Sequence, residues 1–344
     1  MWEKQIEDIV KFIDSIPDER KDAVQPTREQ FTRILSEPCS ARKVPGIPTR
    51  MNENGNYHCT PEEAEATKAF MKQMFRVDSK ESLLNFQQMQ FRQSIQYEQF
   101  MTFWKDAPLF DLNELNPDGR RFFDMMIGKS EPFYPVLQEK GFYAWDINEY
   151  IGVCRIANAC GIITDTEFDE IVDHFVKKAQ VFYHSFKEYA LSVLCGALFV
   201  ITLDSDDQNA VEGFMNLQKR VISNLFQEGG PWEHYGWYKP EEREWAQLYP
   251  SNPGCFITKE AYENGIFYMY REKGSTEHPD MGWRFFHGDE SDEYCNDPNN
   301  YQVVSINTIL NLRPDILAFV EAPYDTAYGW DGNDWKKEPL VKKL

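Results

Sequence analysis

The chain has 344 residues, of which 42% are apolar and 15% aromatic, enough to build two or three domains each with its own core. A formal net charge of −20 repels phosphate backbones, which argues against a nucleic-acid binder and favours a basic partner. A mean hydropathy of −0.58, with no run of 18 apolar residues, argues against a membrane span.

The first segment, "MWEKQIEDIVKFID", alternates acid and base and lacks the basic-then-apolar pattern of a secretory signal, so a cytoplasmic protein is expected. Seven cysteines, an odd number scattered through the chain, suit free thiols rather than a disulfide framework. Thr27 with Gln30, and Thr60 with Pro61 and Glu63, have the spacing of capping boxes and predict helix starts. Asp78 and Glu81 open a further Gln-rich helix that ends at Phe100, Phe103 and Trp104.

In "FYAWDINEYIGVCRIANACG", Asp146 is placed to cap a helix with Glu149 as its box partner, and Trp145 to staple onto Tyr150. Gly161 ends that helix, and Thr164 with Glu167 starts the next, whose apolar residues at 168, 171, 172, 175, 179 and 182 share one face. Ser185 with Glu188, and Ser205 with Gln208, open two more, the last ending at Gly229 and Gly230. The stretch "ALSVLCGALFVITL" (190–203) reads as a buried helix.

Residues 231–253, rich in Gly, Pro and Trp, read as a connection that lays aromatics on the helical core. After it the period shortens. "CFITK", "GIFYMYRE", "GWRFFH" and "YQVVSI" are short aromatic and β-branched runs bounded by turn residues, hence strands. "NTILNLRPDILAFV" is a helical segment interrupted at Pro314, and Asp331-Gly332 a hairpin turn. The fold class is α+β: a helical extension (1–59), an all-α domain (60–230), the aromatic connection, and a small α+β domain with an antiparallel sheet (254–344).

Several constellations invite chemistry. His174 and His184 lie ten apart with Cys154 and Cys160 nearby, but no zinc-type spacing appears, and His234 lies among aromatics. No phosphate loop, dinucleotide fingerprint, zinc-protease or nucleophile-elbow motif occurs. The densest acidic stretch is "GWRFFHGDESDEYCNDPNN" (282–300), where Asp289, Glu290, Asp292, Glu293 and Asp297 fall within nine residues. Its register is not that of a calcium loop, since Gly288 precedes the acids, and it lacks the apolar setting of paired catalytic carboxylates. No metal and no cofactor is expected.

Two readings of that stretch remain: a solvated turn, or a face for a basic protein. From Gly254 to Leu344 there are 16 acids against 9 Lys and Arg, a net of −7, and aromatics flank the acids. A partner-binding set of Trp283, Arg284, Asp289, Glu290, Asp292, Glu293, Tyr294 and Asp297 follows, with Phe285 and Phe286 beside it.

Residues 254–330 closely resemble the immunity protein 33 family, through Gly282 to Tyr294, Asn296 to Asn299, Asn307 to Ile309, Pro314 to Ile316 and Ala322-Pro323. The helical part more loosely resembles a second, uncharacterised bacterial family marked by A-W-D at a helix start, matched by Ala144, Trp145, Asp146, Gly161 and Glu167. Where that family has an arginine after the Asp, this chain has Asn148 or Glu149. The first resemblance implies a non-enzymatic antitoxin role: binding a cognate secreted toxin of a polymorphic toxin system and occluding it. The alternative is an enzyme or ligand-binding regulator with a site near Trp145, Asp146, His174 and His184 in the helical domain.

Overall fold

The computed structural model describes residues 2–42, 57–87, 114–205, 207–274 and 280–340. These fall into two compact units: residues up to 244 apart from 114–120 form one, and residues 114–120 with 245–340 the other.

The first unit is helical. Its longer helices are α1 (Trp2–Asp14), α2 (Arg28–Leu35), α3 (Pro61–Phe75), α4 (Pro117–Ser130, of which residues from 121 on belong to this unit), α5 (Tyr143–Ala159), α6 (Asp165–Phe182), α7 (Phe186–Asp204) and α8 (Gln208–Phe226). The boxes at Thr27, Thr60 and Thr164 form as the spacing predicts, each hydroxyl accepting from the third helical amide while the Gln or Glu side chain returns to the cap. Ser185 caps α7 through the Glu188 amide, but the Glu188 carboxylate reaches the His184 amide instead of closing the box. Asp207, and not Ser205, caps α8; Ser205 ends α7. Residues 80–87 are helical and begin after Ser79, whose Oγ accepts from the Ser82 amide at 3.2 Å. The predicted end of that helix at Phe100, Phe103 and Trp104 lies outside the described residues.

Helices α5 and α7 form the centre of the unit. Both are buried nearly all round rather than on one stripe, the pattern of a helix enclosed by others. Phe186–Leu203 is long and apolar enough to cross a membrane, yet it is packed by α1, α5 and α8 as the core helix of this unit. Gly196 lets α5 and α7 meet, since a Cβ there would sit 2.9 Å from Trp145 Cγ and closer still to Trp145 Cβ. Gly152 does the same for the short helix Glu37–Ser40, because its Cβ would lie 2.5 Å from Cys39 Sγ. Two aromatics of the 231–253 stretch close this core: Trp232 stacks on Phe186 at 5.3 Å and Trp237 meets Phe31 edge-on at 4.8 Å, while Leu248 and Tyr249 pack on the core of the sheet unit.

The second unit is a six-stranded sheet with strand order β4-β1-β3-β2-β5-β6. The strands are β1 (Gly254–Thr258), β2 (Tyr268–Arg271), β3 (Trp283–Phe286), β4 (Tyr301–Ser305), β5 (Thr326–Trp330) and β6 (Trp335–Glu338), with short helices α9 (Lys259–Asn264), α10 (Asp292–Cys295) and α11 (Ile306–Leu312) between them. Pairing is antiparallel at four ladders and parallel between β1 and β3, so the sheet is mixed. The parallel pair follows from α9 and β2 intervening between β1 and β3, which brings β3 back in the same direction. One face carries Cys255, Ile257, Met269, Trp283, Phe285 and Tyr328 and is covered by α11 and the 3-10 turn Pro314–Phe319. The other carries Tyr268, Tyr270, Phe286 and Ala327. The last hairpin closes through four residues: Asp331 Oδ1 accepts from the Asn333 and Asp334 amides, both at 2.8 Å, and Gly332 has φ +97°.

Candidate partner-binding face

The parallel strands β1 and β3 finish at the same end of the sheet, and the acidic turn grows from that end. β3 ends at Phe286; Gly288, at φ +111°, turns the chain back; and Ser291 caps α10 by accepting from the Tyr294 amide at 3.2 Å. β1 ends at Thr258, whose hydroxyl caps α9 through the Ala261 amide at 3.0 Å. The two helix starts are tied together: the Thr258 hydroxyl donates to Glu290 Oε1 at 2.7 Å, and the Glu260 amide donates to Tyr294 Oη at 3.3 Å.

The eight sequence-predicted contact residues therefore divide. Trp283 is fully buried, with its indole N–H donating to the Val320 carbonyl at 3.0 Å, and Phe285 and Phe286 are buried beside it on opposite faces of the sheet. These aromatics build the core and cannot anchor a partner. Arg284 is also buried, paired with Glu272 at 3.0 Å and Asp280 at 3.1 Å and lying over the Phe256 ring; it balances charges inside the unit. Glu290 turns inward, accepting from the His287 amide at 2.8 Å and the Gly288 amide at 2.7 Å as well as from Thr258. Burial acts to raise its pKa, but these hydrogen bonds outweigh it and hold the carboxyl below its ordinary value. Tyr294 is half-buried.

Asp289, Asp292, Glu293 and Asp297 remain exposed. Asp289 pairs with His287, and Asp297 accepts from the Asn299 amide at 2.9 Å. Asp292 and Glu293 lie in the first turn of α10, where carboxylates also complement the helix start. The aromatics that do face solvent here are ones the sequence pattern did not mark. Phe267 is exposed and meets the His287 ring edge-on at 5.1 Å, and Tyr262 is exposed on α9 beside Glu263. Phe267 was concealed because it belongs to the aromatic run "GIFYMYRE", which reads as one strand, whereas the ladder begins at Tyr268.

The helical unit does not assemble its sequence-predicted site. Helix α5 starts at Tyr143, three residues before Asp146, with Phe142 at the cap position. The Asp146 box and the Trp145 staple are thus not formed: the Ala144 amide donates to Tyr183 Oη at 2.9 Å and Ser192 Oγ at 3.3 Å, so tertiary partners supply the cap. Trp145 is buried at the crossing with α7, while His174 and His184 are exposed, so the four side chains do not converge in a pocket. Glu149 pairs with Arg42 and Asn148, and the Asn148 Oδ1 accepts from the Cys39 amide at 2.8 Å. Arg155 is buried and donates to Ser36 and Ser40, both at 2.8 Å, and to Glu37 at 3.0 Å. These polar groups fasten the Glu37–Ser40 helix to α5.

None of the seven cysteines is in a disulfide, and burial pushes the Cys39, Cys154 and Cys255 thiols up to about 12, away from thiolate character at neutral pH. Among the described residues no group of three or more His, Cys, Asp or Glu is arranged to hold a metal ion.

Residues 50–237, more than half of the chain, match the family model described as Protein of unknown function (DUF1266). The chain is a DUF1266 protein. Residues 255–338 match a second model, the Immunity protein Imm33 domain, so this DUF1266 protein carries an immunity-protein domain at the sheet unit. No curated protein and no solved structure matches the chain. The Imm33 match runs from β1 to β6 and contains the whole acidic turn.

Proposed function

We propose that this protein is a bacterial immunity protein that binds a cognate protein toxin and neutralises it by occlusion, without catalysing a reaction of its own. The observation that carries the reading is the Imm33 match over the sheet unit, on which Asp289, Asp292, Glu293 and Asp297 stand exposed with Phe267 and Tyr262 at the same end of the sheet. Exposed aromatics beside a cluster of carboxylates suit a basic partner: the rings give buried contact area and the carboxylates steer the encounter. The overall charge of −20 acts in the same direction and disfavours nucleic acid as the partner. Such a protein acts in the cytoplasm of the cell that it protects.

The test is co-expression with the toxin encoded beside its gene in a sensitive host. Growth restored by the full chain, together with a complex recovered by pull-down, is the expected result. A toxin that still kills and leaves no complex would refute the reading.

A further inference from the structure

We propose that the outer edge of β4 takes an extended segment of the protein partner as a seventh strand, with a basic residue of that segment set against the carboxylates at the start of β4. This rests on the protein-binding reading above and names how the partner is held. Three observations meet at this edge.

The backbone there is directed outward. The Ile306 amide donates to the Pro253 carbonyl at 2.9 Å, which makes 253 and 306 a hydrogen-bonded pair of the antiparallel ladder. Such pairs alternate, so Val304 and Gln302 bond to β1 while the Tyr301 carbonyl and the N–H and C=O groups of Val303 and Ser305 turn away from it; the Tyr301 amide itself donates to the Pro298 carbonyl. β4 ends the strand order, no strand among the described residues pairs with its outer side, and Val303 is 63% exposed.

The edge also lacks the usual protection. Tyr301–Ser305 contains no charge and no proline and pairs with β1 in unbroken register, whereas β6 at the opposite edge carries Lys336, Lys337 and Glu338. Charged side chains on an edge discourage strand addition, and β4 has none.

The two ends of β4 supply specificity. At its start, Asn300 Nδ2 donates to the Tyr294 carbonyl and Tyr301 Oη to the Cys295 carbonyl, both at 2.9 Å, so α10 with Asp292 and Glu293 is held next to the strand, just beyond Asp297. At its other end Ser305 opens into a shallow cleft of about 280 Å³, where Trp245 is 45% exposed. At about 3.4 Å per residue, a segment of roughly five to seven residues would reach from the carboxylates to Trp245. Main-chain pairing would give affinity, and the two ends would select a basic residue and an apolar one. A second copy of this chain fits less well, because two chains of net charge −20 repel each other.

An eight-residue peptide alternating Lys and Val is the probe, with a control N-methylated at every residue, which keeps the charge but cannot pair through either edge. Added to the full chain, the parent peptide should slow amide exchange at Val303 and Ser305, and the control should bind about tenfold more weakly or worse for the loss of two net hydrogen bonds. Unchanged exchange in this segment, or equal binding of the two peptides, overturns the proposal. In the co-expression assay Val303→Pro, which removes an outward donor only, and Val303→Lys, which charges the edge, should each lose protection while the protein stays folded by circular dichroism. Full protection by both folded variants overturns the edge proposal and leaves the toxin-binding reading standing. No protection by the unaltered chain defeats that reading, and the peptide experiment then judges the edge alone. A homodimer in sedimentation that Val303→Lys dissolves assigns the edge to self-pairing and likewise overturns the proposal.

Discussion

The Thr258 hydroxyl donates to Glu290 at 2.7 Å while accepting from the Ala261 amide at 3.0 Å, so one side chain joins the acidic turn to the start of α9. Glu290 completes the joint by accepting the amides of His287 and Gly288. Replacing it should therefore act on the fold before it acts on any partner. Glu290→Ala is expected to lower the unfolding free energy of the sheet unit by about 2 kcal/mol, the scale for hydrogen bonds to a charged group that is partly screened. Urea unfolding followed by tryptophan fluorescence measures it. A variant as stable as the parent would show that the joint carries no weight.

The same residue makes a pH prediction of definite sign. The Glu290 carboxyl titrates below its ordinary value of 4.5 in the folded protein. A depressed folded pKa contributes stability that is present above the unfolded pKa and lost as pH falls through the folded pKa. Unfolding curves of the parent and Glu290→Gln should differ at neutral pH and converge as pH falls below 4.5. A difference that stays constant through this range would place the charge of Glu290 outside the joint.

Much of this architecture was legible in the sequence because local chemistry decides it. Thr27, Thr60 and Thr164 cap where their box partners predict, since a hydroxyl and a Gln or Glu side chain three residues apart need nothing else. Asp146 had the same local signal and failed: Tyr183 and Ser192, far along the chain, cap the Ala144 amide, and the helix starts earlier. The acidic turn was legible as charge but not as direction. Nothing in the spacing of Glu290 distinguishes an inward carboxylate from the outward ones of Asp292 and Glu293; Thr258, on another strand, does. Trp283 and Phe285 read as partner anchors because aromatic runs suit an interface and a small core equally, and the sheet claims them for the core.

Asn307 shows how fully the segment shared with the Imm33 domain is used for architecture. Its Oδ1 accepts the Leu248 and Tyr249 amides, both at 2.8 Å, and its Nδ2 donates to the Tyr249 and Ser251 carbonyls at 3.1 and 3.0 Å. Asn307→Ala should cost about 3 kcal/mol, because it orphans several main-chain groups at once. Asn307→Asp should cost nearly as much, since a carboxylate loses both donors. Thermal unfolding of the full chain reports both, and a fall in melting temperature confined to the alanine variant would contradict the donor assignment.

Two glycines on neighbouring helices should respond in opposite directions. At Gly196 a new Cβ would collide with Trp145, so Gly196→Ala is expected to destabilise the helical unit by about 1 to 3 kcal/mol through overpacking, against the helix propensity that it gains. At Gly213 on α8 a Cβ would meet nothing within 4 Å, and Gly213→Ala should stabilise by about 0.5 to 1 kcal/mol. Chemical unfolding separates the two, and the same sign for both would mean that the α5–α7 crossing yields without strain.

Charge reversal at the acidic face must spare Glu290 if it is to report on binding. Asp289→Lys, Asp292→Lys and Glu293→Lys alter exposed carboxylates, whereas reversing Glu290 would break the joint with Thr258 and confuse a folding defect with a binding one. If the face steers a basic toxin, the triple variant should stay folded with only a small fall in melting temperature from the altered start of α10, yet associate about tenfold more slowly at low salt, with the difference shrinking as ionic strength rises. Dissociation should change less, because exposed charges act mainly on the encounter. Stopped-flow or surface-plasmon measurement of both rates at two salt concentrations decides it. An association rate that is unchanged, with normal salt dependence, would reduce these carboxylates to a solvated turn and leave the exposed rings of Phe267 and Tyr262 to account for contact at this face.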